Sequence, residues 1–203
     1  MSSTVSLAVE GLLDEKVLQQ VIARVAAGRF RVTTCYGKRG RDELAKGIPR
    51  FNQAARIQPF IILADLERDD CAPAVRNTWL PQGAHPNLLL RIAVRKVESW
   101  LAADRQACAE FLGVPLTRLP QRADDEPDPK LLIVNLARRS RNRRIRDSLV
   151  PAEGSTSLVG KNYVGELTQF ILNDWNPLRA QHHSESLARA IRALSDFNPV
   201  IKA

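Results

Sequence analysis

Four carboxylates, Asp65, Glu67, Asp69 and Asp70, fall within six positions directly behind the apolar run Phe60–Ala64. Carboxylates held this close repel one another, and such crowding lasts where a cation compensates it or solvent screens it. Oxygen-only donors suit Mg²⁺ or Mn²⁺ better than zinc. Asp65, Glu67 and Asp69 alternate along the chain, so an extended segment would turn all three to one side. The plain alternative is a hydrophilic loop with Asp70 capping the following helix. Two further acids stand in comparable places, Glu10 behind Val5–Val9 and Glu98 behind Asn87–Val94. Glu98 is equally readable as a first-turn helix acid favoured by the macrodipole, and Asp104 as a surface or N-cap acid.

For these acids to meet, the elements before them must run side by side. Val5–Val9 reads as a short buried strand. Asp14 then opens a helical run in which Val17, Leu18, Val21, Ile22 and Val25 recur at helical spacing and Gly28 supplies the stop. Phe30–Cys35 is a second strand, and Arg41–Ala55 a helix interrupted by Gly47 and Pro49. Pro59–Ala64 makes a third strand, Pro73–Leu80 a short helix, and Asn87–Val94 a fourth strand. Strands apolar on both faces, separated by amphipathic helices, predict an α/β fold with a parallel sheet sandwiched by helices. Ligands of such sheets bind beyond the carboxyl ends of the strands, where Glu10, Asp65 and Glu98 would gather. The last third predicts a helical C-terminal region. Tyr163, Val164, Leu167, Phe170 and Ile171 form one stripe over Asn162–Leu172, and Ser184 caps a helix to Leu194 carrying Leu187 and Ile191. These stripes pack on the sheet or on each other, or else serve an oligomer or ATPase interface. Residues 1–115 are expected to form the α/β core and 116–203 a helical extension packed on it, with the small-residue loop Val150–Gly160 moving over the site.

The 203 residues are 44% hydrophobic, enough for one ordinary core. Thirty Lys plus Arg against 22 Asp plus Glu leave a formal charge of +8, which favours polyanionic partners. Arg138, Arg139, Arg141, Arg143, Arg144 and Arg146 lie within nine residues, the best place for sequence-independent contact with a nucleic-acid backbone. No aromatic residue interleaves them, so stacking on single strands is not indicated there. A solvated helix face is the plain reading of the same run. Lys38, in the glycine-flanked loop YGKRG, and Lys130, behind Pro129, could reach a phosphate; a surface lysine and a packing or salt-bridge lysine are the plain readings. Cys35, Cys71 and Cys108 lack CxxC or Cys/His spacing and read as reduced packing residues. No GxSxG and no Walker loop occurs. No run of about 18 apolar residues occurs either, so the chain reads as soluble and cytoplasmic, away from membranes.

The segments VEG (Val9–Gly11) at the end of the first strand and ADLERDD (Ala64–Asp70) at the end of a later one resemble the Toprim domain. Topoisomerases, bacterial primases, recombination mediators and the overcoming-lysogenization-defect nucleases share that domain. VEGLLDE, DLERDDCAP and RIAVRKVESWLAAD (Arg91–Asp104) are similar to the Toprim-like family DUF4276, as are FLGVPLTRLP, DPK and WNPLRAQHHSESL. The resemblance implies that Glu10 is the Toprim glutamate, a metal-linked group or general acid/base, and that Asp65 is the first metal aspartate. Glu67 stands at the second DxD position, where Glu replaces the usual Asp, and Asp69 where some members place an additional acid. The metal set is then Glu10, Asp65, Glu67 and Asp69, with Mg²⁺ or Mn²⁺ as cofactor, and Glu98 accompanies it. A compact nuclease is implied, within an anti-phage or DNA-maintenance system, acting on nucleic acid, DNA rather than RNA, beside an ATPase partner. Its competitor is a Toprim-fold binding or assembly module without hydrolysis.

Overall fold

The structure is a computed structural model that describes residues 2–200. Four parallel strands, β1 (Ser3–Val9), β2 (Phe30–Gly37), β3 (Phe60–Asp65) and β4 (Leu88–Ala93), form one sheet in the order β2-β1-β3-β4. Three crossover helices join them: α1 (Leu12–Val25), α2 (Arg41–Ala54) and α3 (Ala72–Trp79). Behind β4 the chain is helical, through α4 (Val97–Ala103), α5 (Arg105–Leu112), α6 (Pro129–Arg138), α7 (Arg143–Leu149), α8 (Tyr163–Asn173), α9 (Pro177–Ala180) and α10 (Glu185–Asp196). The α/β architecture expected from the alternating pattern is therefore present, together with the helical C-terminal region.

Strand alternation sorts the core into two layers. Val5, Leu7 and Val9 of β1, with Ile61 and Leu63 of β3, face a large cluster built from α1, α4 and the C-terminal helices. Ala8, Phe60, Ile62, Leu88 and Leu90 face the opposite layer, against Leu44 and Ile48 of α2. Every residue of β3 is buried, which explains why its sequence shows no apolar–polar alternation. Pro49 does not interrupt α2 as expected, because buried Leu44 and Ile48 and the packing of Phe51 against Phe60 seat the helix on both sides of it. Trp100 of α4 donates to Ser186 Oγ at 2.7 Å, and Trp175 donates to the Trp100 carbonyl at 3.0 Å, so the two large rings lock the C-terminal helices to α4 with their polar ends satisfied.

Cys108 is buried, but Cys71 is exposed at the N-cap position of α3 and is not the packing residue that its type suggested. From β1 the chain crosses to β2 on one side and later returns to place β3 on the other. The crevice at the carboxyl ends of β1 and β3 is thus the switch point where doubly wound sheets bind ligands. Glu10 and Asp65 stand on its two banks.

Candidate active site at the β1–β3 crevice

The end of β1 is held from β2. Gly37 adopts φ +90°, where an added Cβ would come within 2.1 Å of the Val9 carbonyl, so only glycine allows this approach. Behind it the Lys38 amide donates to Val9 O at 3.0 Å and the Gly40 amide to Glu10 O at 3.0 Å. The YGKRG loop therefore fixes the backbone of Glu10. Gly11 then caps α1, and a Cβ there would press within 3.1 Å of Asp14 Oδ2.

Four carboxylates gather in this crevice: Glu10, Asp14, Asp65 and Glu98, each exposed by 9% or less. Three are fixed through one oxygen. Glu10 Oε1 accepts from the Asp65 amide at 2.8 Å, tying β1 to β3, and lies 3.6 Å from Arg41. Asp65 Oδ1 accepts from the amide of Val97 at 2.9 Å, at the start of α4. Glu98 Oε1 accepts from the Tyr163 hydroxyl at 3.2 Å, with Lys130 Nζ at 3.7 Å. The second oxygens of Glu10, Asp65 and Glu98 have no hydrogen-bond partner among the described residues. Asp14 Oδ1 is wholly buried and equally without a partner.

Electrostatics register the crowding. Burial above all raises the pKa of Asp65, and the charges of Asp14, Glu98 and Glu10 push it further up. Burial, and then the charge of Glu10, raise Asp14 to about 7. Glu10 is raised by burial, opposed by its Asp65 hydrogen bond and by Arg41. Burial beside Glu98 keeps the Tyr163 phenol firmly protonated.

The donor chemistry suits a hard dication: all four acids offer oxygen, and each has an unpartnered oxygen atom. Among the described residues, however, no three His, Cys, Asp or Glu side chains are grouped tightly enough to hold a metal ion as they stand. The crevice is a concentration of buried carboxyl groups rather than a finished ligand cage.

The other expected site residues lie around this group. Glu67 does not continue β3; its φ of +51° turns the chain away, so Asp65, Glu67 and Asp69 do not line one side of an extended segment. Glu67 pairs with Lys96 at 3.0 Å, and although burial alone would raise its pKa, the hydrogen bond and charge of Lys96 bring it below the usual value. Asp69 pairs with Arg41, which also donates to the Asp65 carbonyl. Lys38 binds Glu15 at 3.2 Å, outside the four-acid group, whereas Lys130 reaches Glu98. Lys96, Lys130, Arg68, Arg95 and Glu67 line a neighbouring cavity of about 500 Å³, and Leu158 of the Val150–Gly160 loop closes one side of it.

The arginine run divides between two roles. Arg138, Arg139, Arg141 and Arg143 are exposed, the last beside Asp147 at 3.5 Å. Arg144 pairs with buried Glu166 at 3.0 Å, and Arg146 donates to the Ser140 carbonyl, so both hold α6, α7 and α8 together. Asp104 is not a surface acid, but it does stand at the N-cap position of α5, its side chain turned to other partners. It is 2% exposed and accepts from Arg179 Nε at 3.0 Å, Arg179 Nη2 at 2.7 Å and the Asn176 amide at 2.8 Å.

Sequence reasoning missed Asp14 as a member of the group, although the signal was there: with Val17, Leu18, Val21 and Ile22 it occupies the apolar stripe of α1, where an acid is out of place. Arg41, Lys96 and Tyr163 carried no such signal, since their contacts arise across the fold. No protein-family model, curated protein or solved structure matches the chain.

Proposed function

We propose that the chain is a Mg²⁺- or Mn²⁺-dependent nuclease of Toprim type that hydrolyses phosphodiesters. The observation that carries this reading is the set of four buried carboxylates with unpartnered oxygens at the switch point of a parallel sheet. Glu10, Asp14, Asp65 and Glu98 are the residues that would hold a dication. Once bound, such an ion supplies charge stabilisation at the reacting oxygens and a more acidic water. The residues of the chain do the rest. The amides of Asp65 and Val97 and the Tyr163 hydroxyl orient the carboxylates, and Lys96, Lys130, Arg68 and Arg95 offer positive charge to a phosphodiester beside them. Tyr163 keeps its proton and positions Glu98, so the nucleophile is water. Arg138, Arg139, Arg141 and Arg143 extend the contact along the nucleic-acid backbone. DNA is the favoured substrate, within an anti-phage or maintenance system and beside an ATPase partner.

The test incubates DNA and RNA with the protein and Mg²⁺ or Mn²⁺, then repeats with Glu10→Gln and Asp65→Asn. Cleavage by the wild type that falls at least about a hundredfold, ~2.7 kcal/mol of barrier, in both variants is expected. Equal cleavage by all three proteins contradicts the reading. A second reading, a non-catalytic nucleic-acid-binding or assembly module, gains support from Glu67, which stands where the Toprim pattern has Asp and is taken up in an ion pair with Lys96, and from the lack of a closed ligand group among the described residues. Binding without cleavage under every metal condition would favour it.

A further inference from the structure

The β4 edge of the sheet is built differently from the crevice. The Phe60 amide donates to the Asn87 carbonyl and the Leu66 amide to the Ala93 carbonyl. With the parallel register Phe60↔Leu88 through Asp65↔Ala93, the odd-numbered residues of β4 thus face β3. Leu88, Leu90 and Ile92 therefore turn their backbone groups outward. The edge is closed at its two ends, where the Leu88 amide donates to His85 O at 2.8 Å and the Val94 amide to Ser186 Oγ at 3.3 Å. Between them, the amides and carbonyls of Leu90 and Ile92 have no partner among the described residues.

These open groups line a cavity of about 630 Å³ between α3 and α10. Its apolar floor includes Leu90, Ile92 and Val94, and its wall carries Arg76, Arg91 and Arg189 together with Glu185 and Asp124, the latter's carboxylate accepting from the Ser184 and Ser186 hydroxyls and the Ser186 amide. Arg189 is neutralised by Glu185 at 2.9 Å, but Arg76 and Arg91 make no ion pair among the described residues. Arg91 Nε is fully buried and without a hydrogen-bond partner. Burial, and then the like charges of Arg76, Arg189 and Arg192, weaken its hold on its proton. A guanidinium left this way is compensated by an anion seated against it.

We propose that this groove takes an extended acidic peptide segment of a partner protein as a short fifth strand beside β4. Unpaired edge groups are a template for strand addition. An acidic strand of alternating character answers the site on both faces at once: main-chain pairing for Leu90 and Ile92, apolar side chains on the face that Leu90 and Ile92 share with α3, and carboxylates on the opposite face, where Arg91 lies toward α10. A phosphate compound would answer the arginines alone. A second copy joined edge to edge would set arginine against arginine.

The test is fluorescence anisotropy with a labelled peptide of alternating valine and glutamate, about six residues long, titrated with the full chain. Binding with a Kd below about 1 mM is expected, at least about tenfold weaker when lysine replaces glutamate, when alternate peptide amides are N-methylated, or in the Arg76→Glu variant. Arg76 is exposed on α3 and away from the carboxylate crevice, so this variant folds and keeps any cleavage activity. No binding, equal binding of the glutamate and lysine peptides, indifference to N-methylation, or displacement by adenosine monophosphate would each overturn the proposal.

Discussion

Two regions of this molecule bury acids, and they do so in opposite ways. In the C-terminal helices, Asp104 accepts three hydrogen bonds, and Glu166 takes contacts from Arg144, Ser148 and Asn162. In the crevice, Glu10, Asp14, Asp65 and Glu98 each keep an oxygen without a partner, and three of the four have raised pKa values. Burial alone therefore says little about function. What separates the two regions is compensation: an acid whose lone pairs are filled by the fold is structural, whereas a group of acids left short of positive charge is poised to take a cation.

The largest effect is expected where the buried acid is fully compensated. Asp104→Ala removes the acceptor for Arg179 and for the Asn176 amide at a buried position, and is expected to cost about 3 kcal/mol in denaturant unfolding. If it costs no more than a surface change, the compensated half of the contrast fails. In the crevice the sign should reverse. Asp14→Asn removes charge from an uncompensated site and is expected to stabilise the metal-free protein by about 1–2 kcal/mol near pH 8.

A smaller effect is expected in the dependence of stability on pH. The folded-state pKa of Asp14, about 7, stands above its ordinary 3.8. The stability it contributes is thus whole below about pH 3.8 and lost as pH climbs through about 7. Glu10 and Asp65 shift in the same direction. Unfolding measured in chelator across that window should show stability declining with pH, and a shallower decline in Asp14→Asn. The smallest effect concerns the basic surface. Arg139→Ala and Arg141→Ala should each lower the salt slope of nucleic-acid binding by roughly 1 while leaving stability unchanged.

Strands β1, β3 and β4 were readable because each is a short, largely apolar run bounded by turn residues, whereas the mostly exposed edge strand β2 carries Arg31, Thr33 and Thr34; the acids were readable because charge follows burial abruptly at Glu10 and Asp65. Local pattern reached no further than local geometry. Glu67 looked aligned with Asp65 because alternation presumes extension, and the left-handed turn at Glu67 removes that premise. Asp104 read as a surface or N-cap acid; it does occupy the N-cap position of α5, but its burial was not readable because its partner, Arg179, lies 75 residues away. Tyr163 fixes Glu98 across 65 residues for the same reason. Asp14 is the instructive case, since its place on the apolar stripe of α1 was visible while its helix-opening role supplied a sufficient local explanation.

Unpartnered crevice oxygens that await a hard dication should take up Mn²⁺ in a calorimetric titration of the metal-free protein. Wild type should bind, Asp65→Asn should bind at least about tenfold more weakly, and Asp104→Asn, if folded, should bind as wild type does. Absence of Mn²⁺ binding by the wild type, or equal binding by wild type and Asp65→Asn, would contradict the account.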